Sequence, residues 1–130
     1  MANTQVSAEI QRLTKLSEQC SRTGDYMTVY CCSKRILDLV ENDLTTTKEE
    51  LGQKLFDLGL ICTALDYTPE AERCLTRALT LFKSAFGEEH KSVADTKRFL
   101  EKIQPEVHAK HQTHRKQTSF TKQMQSALSA

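Results

Sequence analysis

Residues 52–87 read GQKLFDLGLICTALDYTPEAERCLTRALTLFKSAFG, and residues 10–45, IQRLTKLSEQCSRTGDYMTVYCCSKRILDLVENDLT, lie over them without a gap. The offset of 42 residues pairs Leu13 with Leu55, Leu16 with Leu58, Cys20 with Cys62, Val29 with Ala71, Cys32 with Cys74, Ile36 with Ala78 and Val40 with Phe82. A further step of the same size brings Leu51 onto Val93 and Leu58 onto Leu100, and Pro105 is expected to end this third copy after one helix. A fixed period of this length marks a stacked repeat, in which each unit buries its apolar face only against its neighbours.

Within each copy the apolar residues recur at intervals of three and four, the spacing of one helix face. Val6, Ile10, Leu13, Leu16 and Cys20 predict a first helix from about Thr4 to Ser21. Thr23-Gly24-Asp25 breaks it, and Asp25 or Thr23 is placed to cap a second helix carrying Val29, Cys32, Ile36, Leu39 and Val40. Thr47 with Glu50 forms a capping box before the stripe Leu51, Leu55, Leu58, Cys62 and Leu65. Pro69 suits the opening of a fourth helix, whose Ala71, Cys74, Leu75, Ala78, Leu79 and Phe82 make the strongest amphipathic pattern in the chain. Gly87 suits its far end, and a polar capping helix is expected from about His90 to Ile103. The expected organisation is a helical domain over 4–104, with repeats at 4–45 and 47–87 and the cap at 90–103, followed by a basic, flexible tail over 105–130.

Composition narrows the class. At 130 residues, 38% hydrophobic and 27% charged, without Trp, the chain is long enough for one helical domain with a modest core. The first residues lack a basic segment followed by an apolar one, and no run nears the roughly 18 apolar residues of a membrane span. A cytoplasmic location is therefore expected. Five Cys without a C-x-x-C motif do not form a disulfide or metal framework. Cys20 and Cys62 share one repeat position and Cys32 and Cys74 another, so these are expected as small core residues, with Cys31 facing water.

The stretch Leu55-x-x-Leu58-Gly59-x-x-Cys62 followed by Ala71-x-x-x-Leu75-x-x-Ala78 resembles the tetratricopeptide repeat, a helix-turn-helix unit. The run from Arg77-Ala78-Leu79 through Phe86-Gly87-Glu88-Glu89-His90 to Val93-Ala94-Asp95-Thr96 is similar to the 42-residue form of kinesin light chain and nephrocystin-3. The resemblance implies an all-α fold of antiparallel helix-turn-helix repeats, stacked as a short right-handed solenoid of about five helices. It also implies a concave groove, lined by the first helix of every repeat, that holds a protein or peptide partner. Carried over residue by residue, the groove faces are Gln11, Thr14, Lys15, Glu18 and Ser21, then Gln53, Phe56, Asp57, Leu60 and Thr63, then Asp95, Arg98 and Lys102. Kinesin-light-chain-like repeats place paired Asn on this face, where the present chain has Thr14-Lys15, Phe56-Asp57 and Arg98-Phe99. Glu18 and Asp57 there suit a cationic side chain of a partner, and Phe56→Ala is expected to weaken binding without unfolding the domain.

The function expected on this reading is that of an adaptor or scaffold. Two repeats and a lone helix are short for a stable stack, so either the tail is expected to fold back as a cap, or a homo-oligomer or larger assembly to cover the exposed end. No nucleophile beside a base, phosphate loop or facing carboxylate pair is present in the pattern, so no enzyme activity and no cofactor are expected. His108, His111 and His114 recur every third residue, but a flexible segment preorganises no metal site. The alternative function is weak binding of an acidic membrane or RNA through Lys110, Arg115, Lys116 and Lys122 in the tail. A net charge of +1 is not the footprint of a DNA-binding protein.

Overall fold

A computed structural model describes residues 2–108, with side chains over 5–103. The described residues form five helices and no strand: α1 (Ala2–Thr23), α2 (Tyr26–Glu41), α3 (Lys48–Ala64), α4 (Thr68–Phe86) and α5 (Lys91–His108). None of them is long and apolar enough to cross a membrane. Calls that fall on 109–130, including Lys110, Arg115, Lys116 and Lys122, lie outside the described residues.

The period is written into the backbone as well as the sequence. At the end of α1 the Asp25 N–H donates to the Cys20 carbonyl at 2.9 Å and the Gly24 N–H to that of Ser21 at 3.3 Å. At the end of α3 the Tyr67 N–H donates to Cys62 at 2.7 Å and the Asp66 N–H to Thr63 at 3.1 Å. Both are Schellman turns, which satisfy carbonyls that a helix end leaves open and require a left-handed residue at one position. That residue is Gly24 with φ 83° in the first turn and Asp66 with φ 63° in the second. Asp tolerates this conformation less well than Gly, which has no Cβ to crowd the carbonyl. Asp66→Gly is therefore expected to raise stability by about 0.5–1 kcal/mol, part of the relief being offset by the freer unfolded chain. A thermal melt shifted upward by a few degrees checks it.

Caps start the helices where expected. Asp25 opens α2, its carboxylate accepting from the Thr28 N–H at 3.2 Å and from the Thr28 hydroxyl at 2.7 Å. Thr47 opens α3 by accepting from the Glu50 N–H at 3.2 Å, while its hydroxyl lies 3.2 Å from the Glu50 carboxylate that accepts its proton. The Glu50 carboxylate thus pairs with the Thr47 side chain rather than with the N–H of that residue. Pro69 is the second residue of α4, and Gly87, at φ 89°, follows its last residue. The terminal helix departs from expectation: α5 runs through Pro105 to His108. Proline removes one ladder bond but its own φ is helical, so the turns anchored earlier by Val93, Thr96, Leu100 and Ile103 persist beyond it.

Packing follows chain order, each helix lying against the next. α3 is the centre, with Gly52, Leu55, Leu58, Gly59, Leu60, Ile61, Cys62 and Thr63 all buried. Its closest neighbour is α4, because two glycines bring the backbones together: a Cβ on Gly59 would meet Leu75 Cγ at 2.7 Å, and one on Gly52 would meet the Phe82 ring at 2.8 Å. Helices two apart also touch. The Glu70 carboxylate of α4 accepts from the Tyr30 hydroxyl at 2.9 Å and Lys34 Nζ at 3.1 Å on α2. Phe56 of α3 meets Phe99 of α5 edge-on at 5.6 Å. α1 is held more lightly: none of its described side chains is fully buried, and Leu16 is 43% exposed. Cys32, Cys62 and Cys74 are buried and Cys31 is exposed, as expected, whereas Cys20, at the repeat position of Cys62, is only half-buried because α1 packs more loosely.

Candidate functional site: a pocket between α1, α2 and α3

Where α1 and α3 flank α2, they leave an open pocket of about 480 Å³. Its apolar base is Val29 and Ile36 of α2 with Ile61 of α3, all nearly inaccessible to solvent. Thr14, Ser17, Glu18, Ser21 and Arg22 of α1 form one wall, Lys54 and Asp57 of α3 the other, and Ser33 of α2 lies between them.

The repeat explains why the space is there. Moving each lining residue forward by 42 positions gives Phe56, Gly59, Leu60, Thr63, Ala64, Ala71, Leu75, Ala78, Thr96, Phe99 and Ile103. Those residues pack together between α3, α4 and α5, where Leu75 is 0%, Ala71 0% and Ile103 1% exposed. Four of the exchanges between the two sites remove filling: Phe56 corresponds to Thr14, Leu60 to Glu18, Leu75 to Ser33 and Phe99 to Asp57. Each replaces a large apolar side chain by a smaller or polar one. At the same time Val29 and Ile36 stand where α4 has Ala71 and Ala78, and Ser17 where α3 has Gly59, so α1 cannot approach α2 as α3 approaches α4. Wider spacing with less filling produces the pocket.

Asp57 is its most constrained polar group. The carboxylate is half-buried and accepts from Gln53 Nε2 at 2.9 Å. Burial holds its pKa above the ordinary carboxylate value, overriding the lowering influence of the Gln53 amide and of Lys54. A carboxyl that binds its proton more tightly when folded contributes most below its unfolded pKa, and that contribution is lost as pH rises through the folded pKa. Asp57→Asn is accordingly expected to melt higher than the parent at neutral pH and to lose this advantage in acid. Melting curves across pH check the sign. Thr14 has its hydroxyl proton committed to the Ile10 carbonyl at 2.7 Å, leaving only acceptor capacity.

Of the groove residues expected from the sequence, the pocket brings together Glu18 and Asp57, with Thr14 and Ser21. Lys15 is exposed outside it, and Gln53 is exposed while donating to Asp57. Arg98 is exposed and paired with Asp95 at 3.3 Å, and Lys102 is exposed on α5. Leu60 and Thr63, expected as partner contacts, are buried, and Phe56 is partly so. Phe56 is half-buried against Phe99 and lies 6.4 Å from Phe82, Leu60 is 6% exposed, and the Thr63 hydroxyl donates to the Gly59 carbonyl at 2.9 Å. Leu60 and Thr63 are thus buried within the domain, while Phe56 keeps part of its surface exposed beside Phe99 of α5. Sequence reasoning missed Ser17, Arg22, Ser33, Lys54 and Ile61. The contrast of Ser33 with Leu75 and of Asp57 with Phe99 in the 42-residue alignment is the signal that finds the site.

The hydrogen bond shared by Cys62 and Cys74, together with burial, pushes the Cys62 thiol far above its usual range; the same bond lowers that of Cys74, and burial pushes up that of Cys32. Comparison with protein families, curated proteins and solved structures gives no match to the chain.

Proposed function

We propose that this chain is a tetratricopeptide-like interaction module, an adaptor that holds a segment of a protein partner in the cleft between α1 and α3. One observation carries the reading: the site that α3, α4 and α5 fill with Phe56, Leu60, Leu75 and Phe99 stands open, one repeat earlier, with an apolar base and polar walls. Pockets of roughly 300–1,000 Å³ that combine an apolar lining with a few placed polar groups are the usual form of a binding site. A solenoid build is supported by the recurring Schellman turns and by the contacts of α2 with α4 and of α3 with α5. These are the contacts that stacked helical hairpins make.

The test fills the pocket with the second repeat's own residues. Wild type and Ser33→Leu/Asp57→Phe are immobilised and their retained proteins quantified by mass spectrometry at two salt concentrations. Partners held by wild type in high salt and released by the filled variant support the cleft. Equal retention by both sinks it. Retention that needs residues 109–130 and disappears in salt transfers the activity to the basic tail.

A further inference from the structure

The chemistry of the walls narrows what enters the pocket. Their formal charges balance, Glu18 and Asp57 against Arg22 and Lys54, but the four groups are not equally fixed. Arg22 is exposed and its long stem lets the head swing out to water, whereas Lys54 is half-buried and acts on the Asp57 carboxylate. Asp57 has a single methylene and sits in the middle of a packed helix, so its carboxylate stays at the wall whatever the occupant. With Arg22 turned outward, Glu18 and Asp57 against Lys54 leave the walls negative. Hydrogen-bond capacity points the same way: the Thr14 proton is spent on the Ile10 carbonyl at 2.7 Å, and Asp57 draws only on Gln53 of its own helix at 2.9 Å. Ser17, Ser21 and Ser33 add hydroxyls that accept as readily as they donate. Beneath them Val29, Ile36 and Ile61 form an apolar base suited to a methylene chain.

We infer that the pocket between α1 and α3 takes an arginine side chain from the partner segment, its methylenes against Val29, Ile36 and Ile61 and its guanidinium on Asp57, Glu18 and Thr14. A guanidinium supplies five donors and no acceptor, which matches walls whose fixed groups accept, and it loses less hydration on entry than an ammonium. Arg22 and Lys54 then flank the bound arginine, where they favour an acidic neighbour in the partner segment and disfavour a second basic residue. The inference rests on the cleft being the binding site and adds the chemical class of what it holds.

The probes are N-acetyl-arginine N-methylamide, its neutral analogue N-acetyl-norleucine N-methylamide, and N-acetyl-glutamate N-methylamide, titrated into the full chain while backbone amide resonances are followed. The arginine probe is expected to bind with a Kd on the order of millimolar, shifting Ser33, Asp57 and Ile61. It should bind about tenfold more tightly than the norleucine probe, the ratio given by a charge-assisted hydrogen bond. Asp57→Asn, which keeps the shape of the side chain, should remove that preference while leaving the norleucine shifts in place. Equal binding of the arginine and norleucine probes, or preference for glutamate, overturns the arginine assignment and leaves the cleft reading standing. Shifts that persist unchanged in Ser33→Leu/Asp57→Phe overturn both, since the probe would then be binding elsewhere.

Discussion

Ala78→Asp is expected to abolish the cooperative folding of the chain. Ala78 is 0% exposed on α4, with Ala71 two turns earlier on the same face also at 0%, and both belong to the core that α4 forms with α3. The hairpin has closed around side chains of one carbon, its approach set by Gly59 and Gly52 opposite. A carboxylate there has neither room nor a partner, and an unpaired buried charge costs far more than a lost contact. Against a total stability of roughly 0.05–0.15 kcal/mol per residue, several kcal/mol removes most of what the domain has. Far-ultraviolet circular dichroism during heating should show weak helical signal and no sharp transition. Ala78→Ser, nearly the same size, serves as the comparison and should still melt cooperatively. A native-like melt for the aspartate would mean that α4 turns another face to α3.

Phe82→Ala is the second large loss, about 3–5 kcal/mol by denaturant unfolding. Phe82 is 2% exposed, its ring stacked on Phe86 at 5.9 Å and tilted to Phe56 at 6.4 Å. What raises the figure toward its upper end is Gly52, whose missing side chain is the space the ring occupies. With Phe82 truncated, α3 has nothing to offer in return, so the cavity stays open unless the helices shift together. A loss below about 1 kcal/mol would show that they do shift. Phe56→Ala acts through the same cluster and is expected to destabilise the domain, in place of the selective loss of binding that its sequence position implied.

The helices were legible because their signals are local. Gly24, Asp25, Thr47 and Gly87 act within a turn of their own position, and the spacing of Leu51, Leu55, Leu58 and Cys62 names the inner face of α3 without reference to any other helix. The extent of burial was less visible. Leu60 and Ile61 lie off that stripe yet are buried, Leu60 in one cluster with Leu100 and Ile103 of α5 and Ile61 in the pocket base with Val29 and Ile36 of α2, which no pattern within α3 records. The same limit explains the groove residues. Phe56 and Asp57 are adjacent in sequence, yet Phe56 turns to α5 and Asp57 to α1, so a face carried over from a resemblance could not separate them. The end of α5 was misplaced for a different reason: Pro105 is a strong breaker by propensity, but its ring is compatible with the helical φ it has to adopt.

The light anchoring of α1 gives the pocket a further property. One wall belongs to α3, the most enclosed helix of the domain, and the other to a helix with no fully buried described side chain, tied to α2 by Glu9 and Arg35 at 3.1 Å. Local opening free energy is lowest where few apolar contacts hold an element, so α1 should exchange its amide hydrogens fastest and α3 slowest. On the function proposed for it, the competent site exists only in the fraction of molecules with α1 closed, and apparent affinity scales with that fraction. Substitutions on the outer face of α1, remote from any ligand, would thereby adjust binding strength through the population of closed molecules alone.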